Sequence, residues 1–164
     1  MRKRPLTQED LASLLYPDQQ EDFAESIVDI APEKRRLQTE TMDYTVSSLI
    51  DKFRKGDVYI PNFQRNYEWQ APQASRLIES LIIQCPIPVI YLSQDTDERL
   101  SVIDGNQRIN AISKFLNDEF QLTGLTVYPE LSGKKYSDLD HRFQRHIQGR
   151  VLRCLTILKE THPQ

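Results

Sequence analysis

The chain is organised around one heptapeptide, Val102-Ile103-Asp104-Gly105-Asn106-Gln107-Arg108. Its first two residues are apolar and complete a buried strand, and its glycine allows the backbone to turn sharply. After the turn, apolar side chains recur at helical spacing at Ile109, Ile112, Phe115 and Leu116. The heptapeptide therefore predicts a strand–turn–helix junction with four polar side chains grouped around the start of the helix.

Elements predicted on both sides of this junction alternate between helix and strand. Before the junction we predict a helix from Val46 that stops at Gly56, a short strand at 58–60, a helix from Pro72 to Pro86, and a hairpin of strands 88–92 and 100–103. After the helix that follows the junction we predict short strands and turns over 119–135 and helical segments within 136–148. The last predicted element is an interior strand at 150–158 that is apolar on both faces. This order predicts an α+β (mixed α/β) domain with a small mixed sheet flanked by helices.

Composition divides the chain into an arm, one domain and a tail. Residues 1–38 carry an acidic stretch and a basic patch, and they predict a loosely packed, partly helical arm or a flexible one. Residues 39–160 form the compact domain. Residues 161–164 follow the last strand with no closing element, so we expect a truncated version of a longer protein.

Charge and hydropathy favour a protein of the cytoplasm. The formal net charge is −3, so contact with nucleic acid requires a local basic patch rather than the field of the whole molecule. The basic N-terminus is followed by no apolar segment, so it is not a signal peptide, and no apolar run is long enough to span a membrane. Cys85 and Cys154 form no metal motif and are expected to be reduced.

Two polar groups of residues carry the candidate chemistry, and both follow a strand. Asp104–Arg108 lies where a helix N-terminus presents free N–H groups and a positive dipole to an anion, and Gln64 and Arg65 follow the strand at 58–60. Arginine matches phosphate, glutamine can orient water, and Asp104 could hold Mg²⁺. Together they predict a two-loop phosphate site. A plain helix cap at Asp104 remains an alternative.

Aromatic and basic side chains offer two further surfaces. Phe63, Tyr67 and Trp69 could stack on a nucleobase, but we expect Phe63 and Trp69 to close over the core and Tyr67 to be the exposed ring. Arg145 and Arg150 belong to a basic cluster that could contact a DNA backbone. A solvated face is the alternative reading of that cluster.

Four motifs in register resemble one protein family: Ile60–Trp69, Ser75–Leu81, Pro86–Leu92 and Val102–Arg108. The family is the N-terminal domain of GmrSD-type restriction endonucleases, within the ParB/sulfiredoxin-like superfamily. Its signature Asp-Gly-Gln-Gln-Arg corresponds to residues 104–108, and its Phe-Gln-Arg corresponds to residues 63–65. The sequence departs from the signature at Asn106, whose amide is one methylene shorter than that of glutamine.

The resemblance implies a domain that binds and hydrolyses nucleoside triphosphates (GTP, ATP or CTP) with Mg²⁺ in DNA restriction and phage defence. The resemblance implies catalytic roles for Asp104, Gln107 and Gln64, and Asp104 is also the expected Mg²⁺ ligand. The residues expected to bind the nucleotide are Arg65, Gly105, Asn106, Arg108 and Tyr67. The residues expected to bind DNA are Arg145 and Arg150. Because the chain carries no nuclease motif, cleavage requires a nuclease domain or subunit as partner. Self-association is a further expectation. The alternatives are a non-enzymatic DNA-binding or regulatory ParB-like module and a DNA-nicking domain.

Overall fold

A computed structural model describes residues 38–64 and 66–159, and these ranges hold four α-helices and five β-strands. The strands are β1 (Thr39–Thr45), β2 (Val58–Tyr59), β3 (Ile90–Gln94), β4 (Leu100–Asp104) and β5 (Val151–Ile157). The helices are α1 (Val46–Lys55), α2 (Ala71–Ile82), α3 (Asn106–Leu116) and α4 (His141–Gly149). The predicted α+β class is confirmed, whereas its ParB/sulfiredoxin-like assignment and the domain boundaries stay predictions.

The five strands form one mixed sheet in the order β1-β5-β3-β4-β2. The β3–β4 hairpin and the β1–β5 pair are antiparallel, while β5 with β3 and β4 with β2 are parallel. In β5, Leu152 and Cys154 are buried, but Val151 and Arg153 on the other face are exposed. The final strand is therefore interior in the sheet, as predicted, but only one of its two faces is buried.

The helices form where capping residues at the ends flank a segment with apolar side chains at helical spacing. Thr45 caps α1 by accepting a hydrogen bond from the Ser48 N–H at 3.1 Å, and Gly56 ends α1 with a φ of 83°. Both α1 and α2 pack against α3 and α4. The shared core is mainly aliphatic, with Leu77 and Ile112 among its fully buried side chains. No helix among the described residues has the length and apolar character needed to cross a bilayer.

Two local predictions differ from the structure. The strand β1 was not predicted, because all of its residues except Tyr44 are exposed and it has no alternating apolar pattern; it forms by pairing with β5. The short strands predicted within 119–135 are wrong. That segment consists of turns and a 3₁₀ helix at Pro129–Leu131.

The segment after α3 is held by a carboxylate inside the helical layer. Glu79 on α2 is 6% exposed and accepts hydrogen bonds from the Thr126 N–H and hydroxyl at 3.3 and 3.1 Å. It also accepts from the N–H groups of Val127 and Tyr128 at 3.0 and 3.1 Å. Burial, the largest single effect, raises the pKa of Glu79, but the four hydrogen bonds together outweigh it and hold this pKa below its ordinary value.

Candidate functional site

The turn between β4 and α3 closes on a glycine that lies close to its neighbours. Gly105 has a φ of 108°, and its carbonyl accepts the first helical hydrogen bond from the Ile109 N–H at 3.0 Å. A Cβ at this position would lie 3.2 Å from Cγ1 of Ile90 and 3.3 Å from Nη2 of Arg108. The turn therefore requires glycine both for its backbone conformation and for space.

Substituting Gly105 with alanine is expected to lower the free energy of unfolding by about 2–4 kcal/mol, because strain and crowding add together. Gly56→Ala is the matched control, since Gly56 also has a positive φ of 83° but no atom of a neighbour lies within 4 Å of the place that a Cβ would occupy there. We expect the control to lose roughly 1 kcal/mol. Urea denaturation measures both, and equal losses would contradict the role of crowding at Gly105.

Asn106 and Gln64 join the start of α3 to the loop that follows β2. The Asn106 Nδ2 donates to the Gln64 carbonyl at 2.9 Å, and its Oδ1 accepts from the Gln107 N–H at 2.7 Å. In return, the Gln64 Nε2 donates to the Ile103 carbonyl at 3.4 Å. The Gln64 Oε1 is buried without a hydrogen-bond partner within the part of the chain that the structure describes.

Gln107 binds the second half of the same loop. Its Oε1 accepts from the N–H groups of Glu68 and Trp69 at 3.0 and 3.3 Å, and its Nε2 donates to the Asn66 carbonyl at 2.9 Å. The described loop residues and the first turn of α3, which were predicted to form a two-loop site, are therefore joined by hydrogen bonds. In this arrangement the Gln107 side chain positions the loop.

Arg108 lies inside the junction rather than on its surface. Arg108 is 1% exposed. Its Nη1 donates to the Pro88 carbonyl, and its Nη2 donates to the Val89 carbonyl at 3.4 Å. The same Nη2 lies 3.6 Å from the Asp104 Oδ2. Arg108 therefore ties the segment entering β3 to the end of β4 and the start of α3.

Asp104 is the most accessible charged group of the junction whose position is described, with a side chain that is 24% exposed. Burial raises the pKa of its carboxyl, and Arg108 and a hydrogen bond from the Gly105 backbone oppose this effect only in part. One carboxylate is enough to hold Mg²⁺ when substrate phosphates supply other ligands. The described residues contain no group of three or more His, Cys, Asp and Glu that could hold a metal ion.

The three aromatic residues of the loop differ from expectation in two cases. Trp69 is buried, as predicted, at 8% exposure. Phe63 was expected to close over the core but is 84% exposed, because it lies at the tip of the 3₁₀ turn Asn62–Gln64. Tyr67 was expected to be the exposed ring but is partly buried against the core, with the Lys114 Nζ 5.1 Å from its centroid.

Arg65 lies outside the described residues. Both of its neighbours in the chain, Gln64 and Asn66, have their carbonyls bound by side chains from the first turn of α3. The predicted arm, apart from Gln38, and the predicted tail also lie outside the described ranges, so the predictions made for them stay predictions.

The two arginines predicted to contact DNA line one open pocket of about 390 Å³, together with Gln84, His146, Gly149 and Val151. Arg145 is exposed, whereas Arg150 donates to the Cys85 carbonyl at 2.7 Å. The pocket adjoins the C-terminal ends of α2 and α4, where the helix dipole favours cations and disfavours phosphate. DNA binding by this pair stays a prediction.

Comparison with known proteins gives one match. A family model described as the GmrSD restriction endonuclease, N-terminal domain, matches residues 46–162, which include every described part of the junction and the loop. Searches of curated proteins and of solved structures found nothing that matches the chain.

Proposed function

Because this chain belongs to the GmrSD restriction endonuclease N-terminal domain family, we propose that it binds a nucleoside triphosphate at the β4–α3 junction in support of DNA restriction. The observation that carries the proposal is the joining of two predicted phosphate-binding segments into one unit. Loop 62–69 and the first turn of α3 share hydrogen bonds through Asn106, Gln107 and Gln64. The positive end of the α3 dipole adds attraction for phosphate at this unit.

The side chains of the junction divide into supports and ligand-binding groups. Asn106 and Gln107 hold the loop, and Arg108 holds the junction from inside. Arg65 neutralises phosphate charge, and Asp104 holds Mg²⁺ against the phosphates, which helps to neutralise their charge. This division is supported by the hydrogen bonds already described for the three supporting residues and by the greater exposure of Asp104 than of Arg108.

Hydrolysis is the second part of the proposal. Water attacks the γ-phosphorus, the bond from that phosphorus to the bridging oxygen breaks, and the products are a nucleoside diphosphate, inorganic phosphate and a proton. Gln64 orients the water from its place beside the first turn of α3, where its side chain is partly buried and its Nε2 donates to the Ile103 carbonyl. The proton passes to the released phosphate and to solvent, because the Asp104 carboxylate is the proposed Mg²⁺ ligand.

Calorimetry with GTP, ATP and CTP, each with and without Mg²⁺, tests binding. We expect Arg65→Ala to weaken affinity by roughly 10–100-fold, because it loses charge-assisted hydrogen bonds to phosphate. Arg76→Ala is the matched control, since Arg76 is an exposed arginine on α2. Asp104→Asn should remove the dependence on Mg²⁺.

The outcomes separate binding from turnover. Failure of the wild-type protein to bind any of the three nucleotides would overturn the proposed site. Binding without phosphate release would limit the proposal to a nucleotide-dependent regulatory module. Retention on DNA with no nucleotide affinity would favour the DNA-binding alternative.

A further inference from the structure

Phe63 is the most exposed of the large hydrophobic side chains in the described parts of the chain. It is 84% exposed, compared with 54% for Val127, 52% for Val151 and 41% for Met42. Burying a phenylalanine side chain stabilises a fold, and this protein forgoes nearly all of that stabilisation at Phe63. An aromatic ring this exposed on the loop after β2 indicates a surface that binds a ligand.

The ring is presented by a turn that is anchored on both sides. Before Phe63, Ile60 is buried, and the Pro61 carbonyl accepts a hydrogen bond from the Gln64 N–H at 2.9 Å, which closes the turn. After Phe63, the Gln64 carbonyl is bound by Asn106. One hydrogen bond within the turn and one from the first turn of α3 therefore fix the backbone that carries the ring.

The exposed neighbours of Phe63 on the loop are polar. Among its described neighbours on the loop, Asn62, Asn66 and Glu68 are exposed and polar, and Gln64 is polar and partly buried. Protein interfaces bury contiguous patches with an apolar centre, and a single ring on a polar loop does not supply one. A single ring does suit a flat partner of its own size, because every nucleobase has a face on which an aromatic side chain can stack.

We propose that Phe63 stacks on the nucleobase of the nucleotide whose phosphates lie at the start of α3, an inference that rests on the proposed function. The residue after Phe63 is hydrogen bonded to the first turn of α3, so the backbone that carries the ring adjoins the proposed phosphate site. Stacking discriminates poorly between bases of equal size. The site therefore binds GTP and ATP with similar affinity and CTP, with its smaller ring, more weakly.

The test compares affinities for GTP, ATP and CTP with affinity for inorganic tripolyphosphate, which has no base. Phe63→Ala should weaken binding of the purine nucleotides by roughly 5–100-fold and leave tripolyphosphate binding unchanged. Phe63→Tyr keeps the ring and should bind as the wild type does. Val127→Ala, at another exposed apolar side chain, is the matched control for loss of surface area. Thermal unfolding checks that the variants fold.

The possible results distinguish the stacking of Phe63 from the proposed nucleotide binding. Wild-type nucleotide binding that Phe63→Ala leaves intact would overturn the stacking while preserving the proposed function. Equal losses for nucleotides and tripolyphosphate would also overturn it, because the ring would then act on the phosphate site. A wild-type protein that binds neither would overturn both proposals. An oligothymidylate bound through Phe63 without mononucleotide affinity would identify single-stranded DNA as the source of the base and overturn the nucleotide assignment.

Discussion

Replacing Arg108 with alanine is expected to lower the free energy of unfolding by about 3–5 kcal/mol, the range observed when one partner of a buried charged pair is removed. The guanidinium is almost completely buried and donates to the carbonyls of Pro88 and Val89 beside the Asp104 carboxylate. Its removal takes these hydrogen bonds from both carbonyls, takes the neighbouring cation from Asp104, and opens a cavity.

Urea denaturation measures this loss, and Arg142→Ala provides the control. Arg142 also pairs with an aspartate, Asp140, at 3.4 Å, but its side chain is 84% exposed. Its removal should cost less than about 1 kcal/mol. Similar losses for both variants would show that the buried contacts of Arg108 contribute little.

The loss of stability in Arg108→Ala also affects how its nucleotide binding is interpreted. An Arg108→Ala protein that fails to bind nucleotide could have lost its junction rather than a phosphate contact. Arg65 is therefore the better position for testing phosphate binding, and Arg108→Ala is informative there only at temperatures where the variant is folded.

Replacing Glu79 with glutamine is expected to lower the free energy of unfolding by about 2–4 kcal/mol at pH 7, because a buried acceptor of four hydrogen bonds is replaced by an amide. The glutamine NH₂ group would face N–H donors from the 126–128 segment. The same substitution should detach this segment locally, with faster hydrogen exchange at Val127 and Tyr128.

The effect of Glu79 depends on pH in a direction that the hydrogen bonds determine. The pKa of this carboxyl is lower in the folded protein than its ordinary value of 4.5, so folding favours the charged form. The stabilisation is fully present above pH 4.5 and is lost as the pH falls through the folded pKa. The difference between wild type and Glu79→Gln should therefore shrink below that pH.

Glu130→Gln is the control for Glu79, since Glu130 is an exposed glutamate in the 3₁₀ helix that follows the 126–128 segment. It should change stability by less than about 0.5 kcal/mol at any pH. A difference between wild type and Glu79→Gln that stays constant from pH 7 to strong acid would contradict the charged, hydrogen-bonded state of Glu79.

The helices and the central strands followed from the sequence because local and tertiary preferences agree in them. The apolar spacing from Val46 and the stop at Gly56 predicted α1, and the heptapeptide predicted β4, its turn and α3. The strand β1 could not be found in this way. Its polar residues depend on β5, more than 100 positions later in the chain, and a local pattern does not reveal such a partner.

The candidate site was predictable in its location but not in the roles of its supporting residues. Sequence patterns identified both polar segments, yet backbone hydrogen bonds made by Asn106 and Gln107 have no local signature. Arg108 does carry a signal. It shares helical spacing with Ile112 and Phe115, which places it on the buried face of α3. Glu79 has a similar signal, since it lies three residues before Ile82 and directly after Leu77 and Ile78 in the sequence.

The pairing of β1 with β5 has a mechanical consequence. The Leu158 N–H donates to the Gln38 carbonyl at 2.8 Å, so the chain enters and leaves the described fold at the same corner of the sheet. That corner is on the edge opposite β2, which leads into the loop carrying Phe63. A load applied through both ends would peel β1 from β5 one bond at a time, while β3, β4 and the junction stay out of the line of force.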